Sequence, residues 1–522
     1  MRLGAETATS FGGRAQAVAA AKKGMQLRVV LVLVLVTVGI TTTLSSLRAM
    51  LSEPTNSSPL RISGVVVEDI LHSSDDTIED LQQNQLQDAS VSQGDTSHDL
   101  SWPDTTYVSG KPSKSNIYGN GGIRRPKLPG SLSTETFFCD RSHPRTDVCT
   151  MQGDVHMDGK AASFILYSTS RDTPVMEEKI KPYTRKWEKS CMDTVHEVTL
   201  KSTRAVGNTS LICDVQHSVP AIVFTTGGYT GNLYHEFNDG LVPLYITSQH
   251  LKGEVVFIIV EFHNWWFMKY GDIVKQLSNY PVVDFENDDR IHCFPEVTVG
   301  LHIHDELAID SSLMPQNQTI HDFRNVLDQA YKDDSLESAG LPFSGKPRMV
   351  IIVRYGSRIF QNLDQIVTLA EDEGFNVTLW KPDPTTELKK IYWTLNSSEV
   401  LMGVHGAAMT HFLFMRPGSV FVQVIPLGTK WAAETYYGDP AKKLGLQYLE
   451  YLIKPEESSL SDKYSKNDTV LTNPETIIKK GWWEMKEIYL EHQDVQPSLP
   501  RLRKTLHKAK TRAINFMKLR AG

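Results

Sequence analysis

The stretch from Leu401 to Pro426, LMGVHGAAMTHFLFMRPGSVFVQVIP, constrains this chain more than any other. An apolar run, Val400–Val404, enters a tight turn of small residues, His405-Gly406-Ala407-Ala408. A short apolar helical segment follows, then Pro417-Gly418, then a second buried-type strand, Val420–Ile425. This is a βαβ pattern, with the turn at the carboxyl end of the first strand. In open α/β sheets, ligands sit at that end. Amides at the start of the helix can receive a phosphate, and Gly406 leaves room for a ligand to come close. His405 and His411 bracket the turn. Taken alone, the pattern equally describes a plain βα connection with surface histidines.

A chain of 522 residues exceeds one ordinary core, so two or more domains are expected. The net charge of −7 argues against a generic nucleic-acid binder. The Lys/Arg-rich end, Arg501 to Arg520, reads as a solvated helix face. Near the other end, residues 29–47 carry no charge, while Arg2, Arg14, Lys22, Lys23 and Arg28 precede them against a single acid, Glu6. Such a positive flank stays cytoplasmic. The span is near the lower limit for a membrane helix. A cleaved signal peptide is the alternative, but the flank is long for one, which favours an uncleaved anchor and a luminal body.

Sequons at Asn56, Asn208, Asn317, Asn376, Asn396 and Asn467 fit that placement, although chance supplies some in a long chain. The cysteines Cys139, Cys149, Cys191, Cys213 and Cys293 lie in one part of the chain, which reads as disulfides stapling one domain with a thiol left over. Proximity suggests Cys139–Cys149 and Cys191–Cys213, though spacing does not fix connectivity. No C-x-x-C pair is present, which disfavours zinc.

The expected organisation is a cytoplasmic tail (1–28), an anchor (29–47), a flexible polar stem (48–134), two α/β domains (135–340 and 341–473) and a helical tail (474–522). From the first cysteine to about residue 335, strands and helices are expected to alternate. Ala221 to Thr226 reads as a strand and Gly227–Gly231 as a glycine-rich turn. A helix from Asn232 to His250 follows, kinked or broken at Pro243. The apolar run Glu254–Val260 suits a strand covered on both faces. Residues 336–347 read as a linker. The second half offers strands at 349–353, 375–379, 400–404 and 420–425, with helices at 363–373 and 386–393. Two α/β halves with a cleft between them suit an enzyme with one substrate in each half.

Two constellations carry candidate chemistry. Arg354 and Arg358 flank Ser357 at a strand end, where guanidinium forks can converge on one anion. With the His405 turn they form a diphosphate-binding rim. In the other half, His235 and Asp239 are four apart on a helix and share a face. A carboxylate can orient the imidazole as a general base. Surface ion pairs and an ordinary acidic helix start are the bland alternatives. No Asp-x-Asp triplet is present to hold a cation on a nucleotide sugar. Asp288-Asp289, Asp333-Asp334 and Asp383 read as loop acids, and His302-Ile303-His304-Asp305 as a strand end. No essential metal is expected; arginines and amides would stabilise a leaving diphosphate instead. No G-x-S-x-G elbow is present, which disfavours a serine hydrolase.

YHEFND (234–239), VRYGSRIFQN (353–362) and HGAAMTHFLFMRPGSVFVQVIP (405–426) together resemble glycosyltransferase family 61. CDRSHPRTDVC (139–149) is similar to the plant branch, which includes xylan arabinosyl- and xylosyltransferases and the N-glycan core β-1,2-xylosyltransferases. The resemblance covers about residues 135 to 515. It implies an inverting, metal-independent enzyme of GT-B fold, a type II protein of the Golgi membrane that uses a UDP-pentose. It places Arg354, Ser357 and Arg358 at the donor diphosphate, with His405, Gly406, Ala407 and the following amides beside them. His235 and Asp239 fall on the acceptor side; which of them takes the proton stays open. His411 is grouped with the donor residues, but family members often carry Asn there. The implied acceptor is a xylan-type polysaccharide. An N-glycan acceptor, or a luminal glycan-binding protein without turnover, are the competing expectations.

Overall fold

The structure is a computed structural model that describes residues 135–168, 175–204, 212–332, 345–381 and 385–521. The expected anchor, the stem, Asp383 and the sequons at Asn56 and Asn208 lie outside the described residues, as does most of the expected linker. Among the described residues, no helix is long and apolar enough to cross a membrane.

The first half is built on strands β1 (Thr136–Asp140), β2 (Val148–Asp158), β3 (Ser163–Ser168), β4 (Glu177–Ile180), β5 (Val198–Arg204), β6 (Val215–Gln216), β7 (Ala221–Thr225), β8 (Val256–Val260), β9 (Val283–Asp284) and β10 (His292–Val299). They form one sheet ordered β4-β5-β3-β2-β10-β7-β8-β9, with β1 on β2 and β6 on β10. Strict alternation with helices does not hold before β7. There β1, β2 and β3 pair antiparallel through short turns, which need no crossover helix. From β7 on, β7, β8, β9 and β10 run parallel. β7 and β8 are buried along their whole length, as expected for strands covered on both faces.

The second half has five parallel strands, β11 (Arg348–Ile352), β12 (Asn376–Trp380), β13 (Val400–Val404), β14 (Val420–Ile425) and β15 (Gln447–Leu452), ordered β12-β11-β13-β14-β15. The order reverses between β11 and β13, and doubly wound sheets bind ligands at such a reversal, outside the carboxyl ends of the strands. Period-two patterning drives the layering. Met349, Ile351, Val400, Met402, Val422 and Val424 face helices Leu363–Asp372 and Leu499–Ala521, meeting Ile366, Leu369, Leu502 and Leu506. The alternate residues Val350, Ile352, Leu401 and Phe421 face the other way. They join a core that also contains Phe237, Phe257, Phe323 and Leu327 of the first half. One continuous apolar core therefore welds the halves together.

Of the two outcomes expected at Pro243, a kink or a break, the helix is distorted before the proline and does not break. The helix runs as an α-turn (Leu233–His235), a π-segment (Glu236–Leu241) and a further α-segment (Val242–Ser248). Proline removes a donor and crowds the carbonyl four residues back. Here that carbonyl belongs to Asp239, and Thr184 Oγ1 donates to it at 2.9 Å. The widened turn relieves the crowding without ending the helix.

Two disulfides form. Cys139 and Cys149 are register partners across β1 and β2, so they bond as expected. Cys213 pairs with Cys293 rather than Cys191, because β6 lies parallel to β10 and sets Gln216 against Cys293. Cys191 is a buried free thiol packed with Tyr183 and Val195.

Candidate active site

Asn232 starts the helix that follows β7: its side chain accepts from the amides of Tyr234 (2.9 Å) and His235 (3.4 Å). One turn on, His235 Nδ1 donates to Asp239 Oδ2 at 2.6 Å. The Asp239 carboxylate is fully buried. It also receives Arg185 Nε at 2.7 Å and Asn238 Nδ2 at 2.8 Å, and Arg145 lies 3.5 Å away. Burial alone would raise its pKa; the Arg185 charge and the bonds from His235 and Arg185 overcome this and hold it well below the usual carboxylate range. Asp239 is thus a permanent anion, unsuited to take a proton. His235 is held neutral, first by burial and then by the charge of Arg185, against the pull of Asp239. With Nδ1 committed to Asp239, the lone pair on Nε2 is the basic position.

Glu236 points elsewhere, as expected. It accepts from Gly231 N (2.7 Å), Thr230 Oγ1 (3.1 Å) and Trp266 Nε1 (2.5 Å), and so ties the glycine turn to the helix. Burial pushes it up to about 7 despite these donors. Asn238 bridges Asp239 and the amide of Leu307.

In the second half, the loop after β11 carries Arg354, Ser357 and Arg358, and the turn after β13 carries His405 and Gly406. The two loops flank the reversal in strand order. Arg358 Nη1 donates to the His405 carbonyl at 3.3 Å. Arg354 Nε donates to the Ser357 carbonyl at 3.2 Å, and its guanidinium lies against Gly406, where a Cβ would collide with it. Gly406 adopts φ 156°, and the room it leaves is taken by Arg354. The sequence offered that room to a ligand. The loop is braced from the C-terminal segment: Arg358 N donates to Gln493 O (2.7 Å) and Ile359 N to Asp494 Oδ1 (3.0 Å).

The Gln423 amide donates to His405 Nδ1 at 3.1 Å and accepts from Tyr448 OH at 2.8 Å. This network puts the ring proton on Nε2. Burial, then Arg358 and Arg354, hold His405 neutral well below its ordinary value. The segment after it, Ala407–Phe414, is a 3₁₀-helix. The amides of Ala407 and Ala408 open it and have no carbonyl partner within it. His411 is turned away from this rim: Nδ1 donates to the Ala408 carbonyl at 2.8 Å, and the ring packs on Trp380 and Phe414.

Tyr234 and Tyr437 join the two constellations. Tyr234 packs on His235 at 5.2 Å and on Tyr437 at 5.8 Å, and Tyr437 packs on His405 at 5.4 Å. A neutral imidazole in each half is thus linked to the other through two packed tyrosines.

A model of the family described as Glycosyltransferase 61 matches residues 233–422, which run from the His235 helix into β14. Xylan glycosyltransferase MUCI21 of Arabidopsis thaliana is 50% identical over 416 residues, 76% of this chain and 84% of that protein. The chain belongs to glycosyltransferase family 61. Two rice members (Oryza sativa subsp. japonica) are also similar. Alpha-1,3-arabinosyltransferase XAT3 is 37% identical over 71% of this chain and 64% of its own length. Beta-1,2-xylosyltransferase XYXT1 is 37% identical over 77% and 90%.

Around His235 and Asp239, this glycosyltransferase gathers residues that the sequence did not single out. Arg185 has no local pattern to reveal it. Arg145 lies between Cys139 and Cys149, whose disulfide closes the β1–β2 loop that carries it. Glu306, beyond β10, binds both Arg145 (3.1 Å) and the Tyr234 hydroxyl. Among the described residues, one group could gather around a metal, His156 with Cys213 and Cys293, and its two sulfurs are bonded to each other. Asp305 pairs with Lys443 at 2.6 Å, and His304 Nδ1 accepts from the amide of Asp310. The sequons at Asn317, Asn376 and Asn467 are exposed, whereas Asn396 is half-buried and its Oδ1 accepts from Arg324 at 2.6 Å.

Proposed function

We propose that this family 61 member transfers a pentose, xylose or arabinofuranose, from a UDP-sugar to a xylan-type polysaccharide with inversion. The relatives' names supply the sugar and acceptor class. What supports the reaction is the run of packed rings that links His235, bonded to Asp239, through Tyr234 and Tyr437 to His405, whose carbonyl Arg358 bonds. The two halves then act as a GT-B-like pair, the second holding donor and the first holding acceptor. A type II anchor at residues 29–47 would set this body in the Golgi lumen.

The acceptor hydroxyl gives its proton to His235 Nε2 as its oxygen bonds the anomeric carbon. The bond from that carbon to the UDP oxygen breaks on the opposite face, and UDP leaves with the electron pair. Asp239 holds the imidazole in the tautomer that presents a bare Nε2 and stabilises the imidazolium that forms. Arg354, Arg358, His405 Nε2–H and the amides at 407–408 take the charge developing on the diphosphate, so no divalent cation is required.

The deciding experiment incubates the luminal protein with UDP-xylose, UDP-arabinofuranose and UDP-arabinopyranose against xylan and N-glycan acceptors, with and without EDTA. Transfer to xylan unaffected by EDTA is expected. Transfer confined to N-glycans, or lost on chelation and restored by manganese, would refute the reading. Arg354→Ala and Arg358→Ala are expected to abolish transfer in a folded protein.

A further inference from the structure

We propose that Trp187 and Trp431 are acceptor platforms on either side of His235, each stacking a sugar ring of an extended pentopyranose chain. The inference rests on the reading above and extends it to how a polymer is held.

Trp187 is 47% exposed, and Trp431 is 37% exposed. What sets these two apart from the other exposed tryptophans is their linkage to the surroundings of His235. Both are held in place by the catalytic surroundings. The guanidiniums of Arg145 and Arg185, which surround Asp239, lie 5.2 and 5.4 Å from the Trp187 ring. Arg185 also lies 5.7 Å from the ring of Tyr229, which packs on His235 at 4.6 Å. From the other half, Trp431 packs on Tyr436 at 5.8 Å, and Tyr436 on Tyr234 at 5.3 Å, next to His235. Packed side chains thus lead from His235 to an open tryptophan in each half, through Tyr229 and Arg185 to Trp187 and through Tyr234 and Tyr436 to Trp431.

An uncharged pyranose chain presents an apolar C–H face on each ring, and an aromatic face matches it. Rings fixed before the ligand arrives lose little freedom on binding. A polymer crossing His235 would be gripped at both ends, with the reacting hydroxyl set between. Trp265, Trp482 and Trp483 are also exposed among the described residues; Trp265 packs beside His263, and Trp483, under Lys486, serves as the internal control.

The test compares Trp187→Ala, Trp431→Ala, Trp187→Phe, Trp431→Phe and the control Trp483→Ala. Retardation in gels containing soluble xylan needs no turnover. Kinetics with a length series of xylo-oligosaccharides follow. Each site's alanine variant should raise the acceptor KM about tenfold for long chains and less for short ones. The donor KM should not move, the phenylalanine variants should recover most of the loss, and Trp483→Ala should match wild type. An unchanged acceptor KM in both alanine variants overturns the platforms alone, provided the wild type uses xylan. So does an equal loss in Trp483→Ala, or a change confined to the donor KM. A wild type that neither binds nor uses xylan overturns the functional reading as well.

Discussion

The guanidinium of Arg354 lies in the space that a side chain at Gly406 would fill. The turn after β13 and the loop after β11 are therefore interlocked, and the arginine's position depends on a missing Cβ. Gly406→Ala should displace Arg354 and cut kcat/KM by about 100-fold, the size of losing one preorganised charge-stabilising donor. Thermal denaturation with near-native Tm would show that the fold survives. An alanine variant with full activity would detach Arg354 from the reaction.

His235→Ala removes the proposed base. General-base losses run to about 10²–10⁴ in rate, so kcat should fall by that order while UDP binding measured by calorimetry stays near wild type. Asp239→Asn keeps the size but removes the anion, and should lower kcat in the same direction. Equal loss of binding and turnover in both variants would argue for a structural role instead.

The pH profile carries a sign. His235 must be neutral to accept a proton, and burial with Arg185 holds it neutral below its ordinary value. Activity should therefore rise through an apparent pKa below the free-histidine value of about 6.5 and stay high above it. Arg185→Lys keeps the charge and should keep that limb. Arg185→Gln lets the imidazolium form more easily, so the limb should move to higher pH. Because Asp239 then loses a buried partner, a stability loss of about 3–5 kcal/mol is also expected. A profile in Arg185→Gln that coincides with wild type would show that this charge does not act on the base.

His411 sets part of the acid sensitivity of the fold. Burial pushes it down to about 3, so the folded protein keeps it neutral while an unfolded chain protonates it near 6.5. Between those values the unfolded state binds the extra proton, and stability falls as pH drops, by about 1.4 kcal/mol per unit. In His411→Asn, the amide can still donate to the Ala408 carbonyl and nothing titrates. Urea midpoints at pH 6.5 and 5 should draw closer together than in wild type; an unchanged gap would place the acid sensitivity elsewhere.

Removing the Cys213–Cys293 bond as a double serine variant should cost about 2–5 kcal/mol, the usual range for a native disulfide. Non-reducing peptide mapping should find Cys213 joined to Cys293 and Cys191 alkylatable after unfolding. A Cys191–Cys213 peptide would contradict the strand pairing of β6 with β10.

Local pattern alone was enough for the central strands of the second half. Val400–Val404 and Val420–Ile425 are strands over the predicted residues, because runs of β-branched and apolar residues between glycine and proline signals permit little else. The His235–Asp239 pairing followed from helical spacing, even though the helix there is widened into a π-segment. Tertiary structure decided what long-range contacts decide. The register of β6 on β10 chose the partner of Cys213. Gly406 gave its space to Arg354 because β11 and β13 are neighbours. Arg185, remote in sequence and without local signature, reached Asp239 and holds that member of the pair as the anion. Periodicity and turn chemistry act between residues a few positions apart. Charge balance in a buried site is set by whatever the fold carries there.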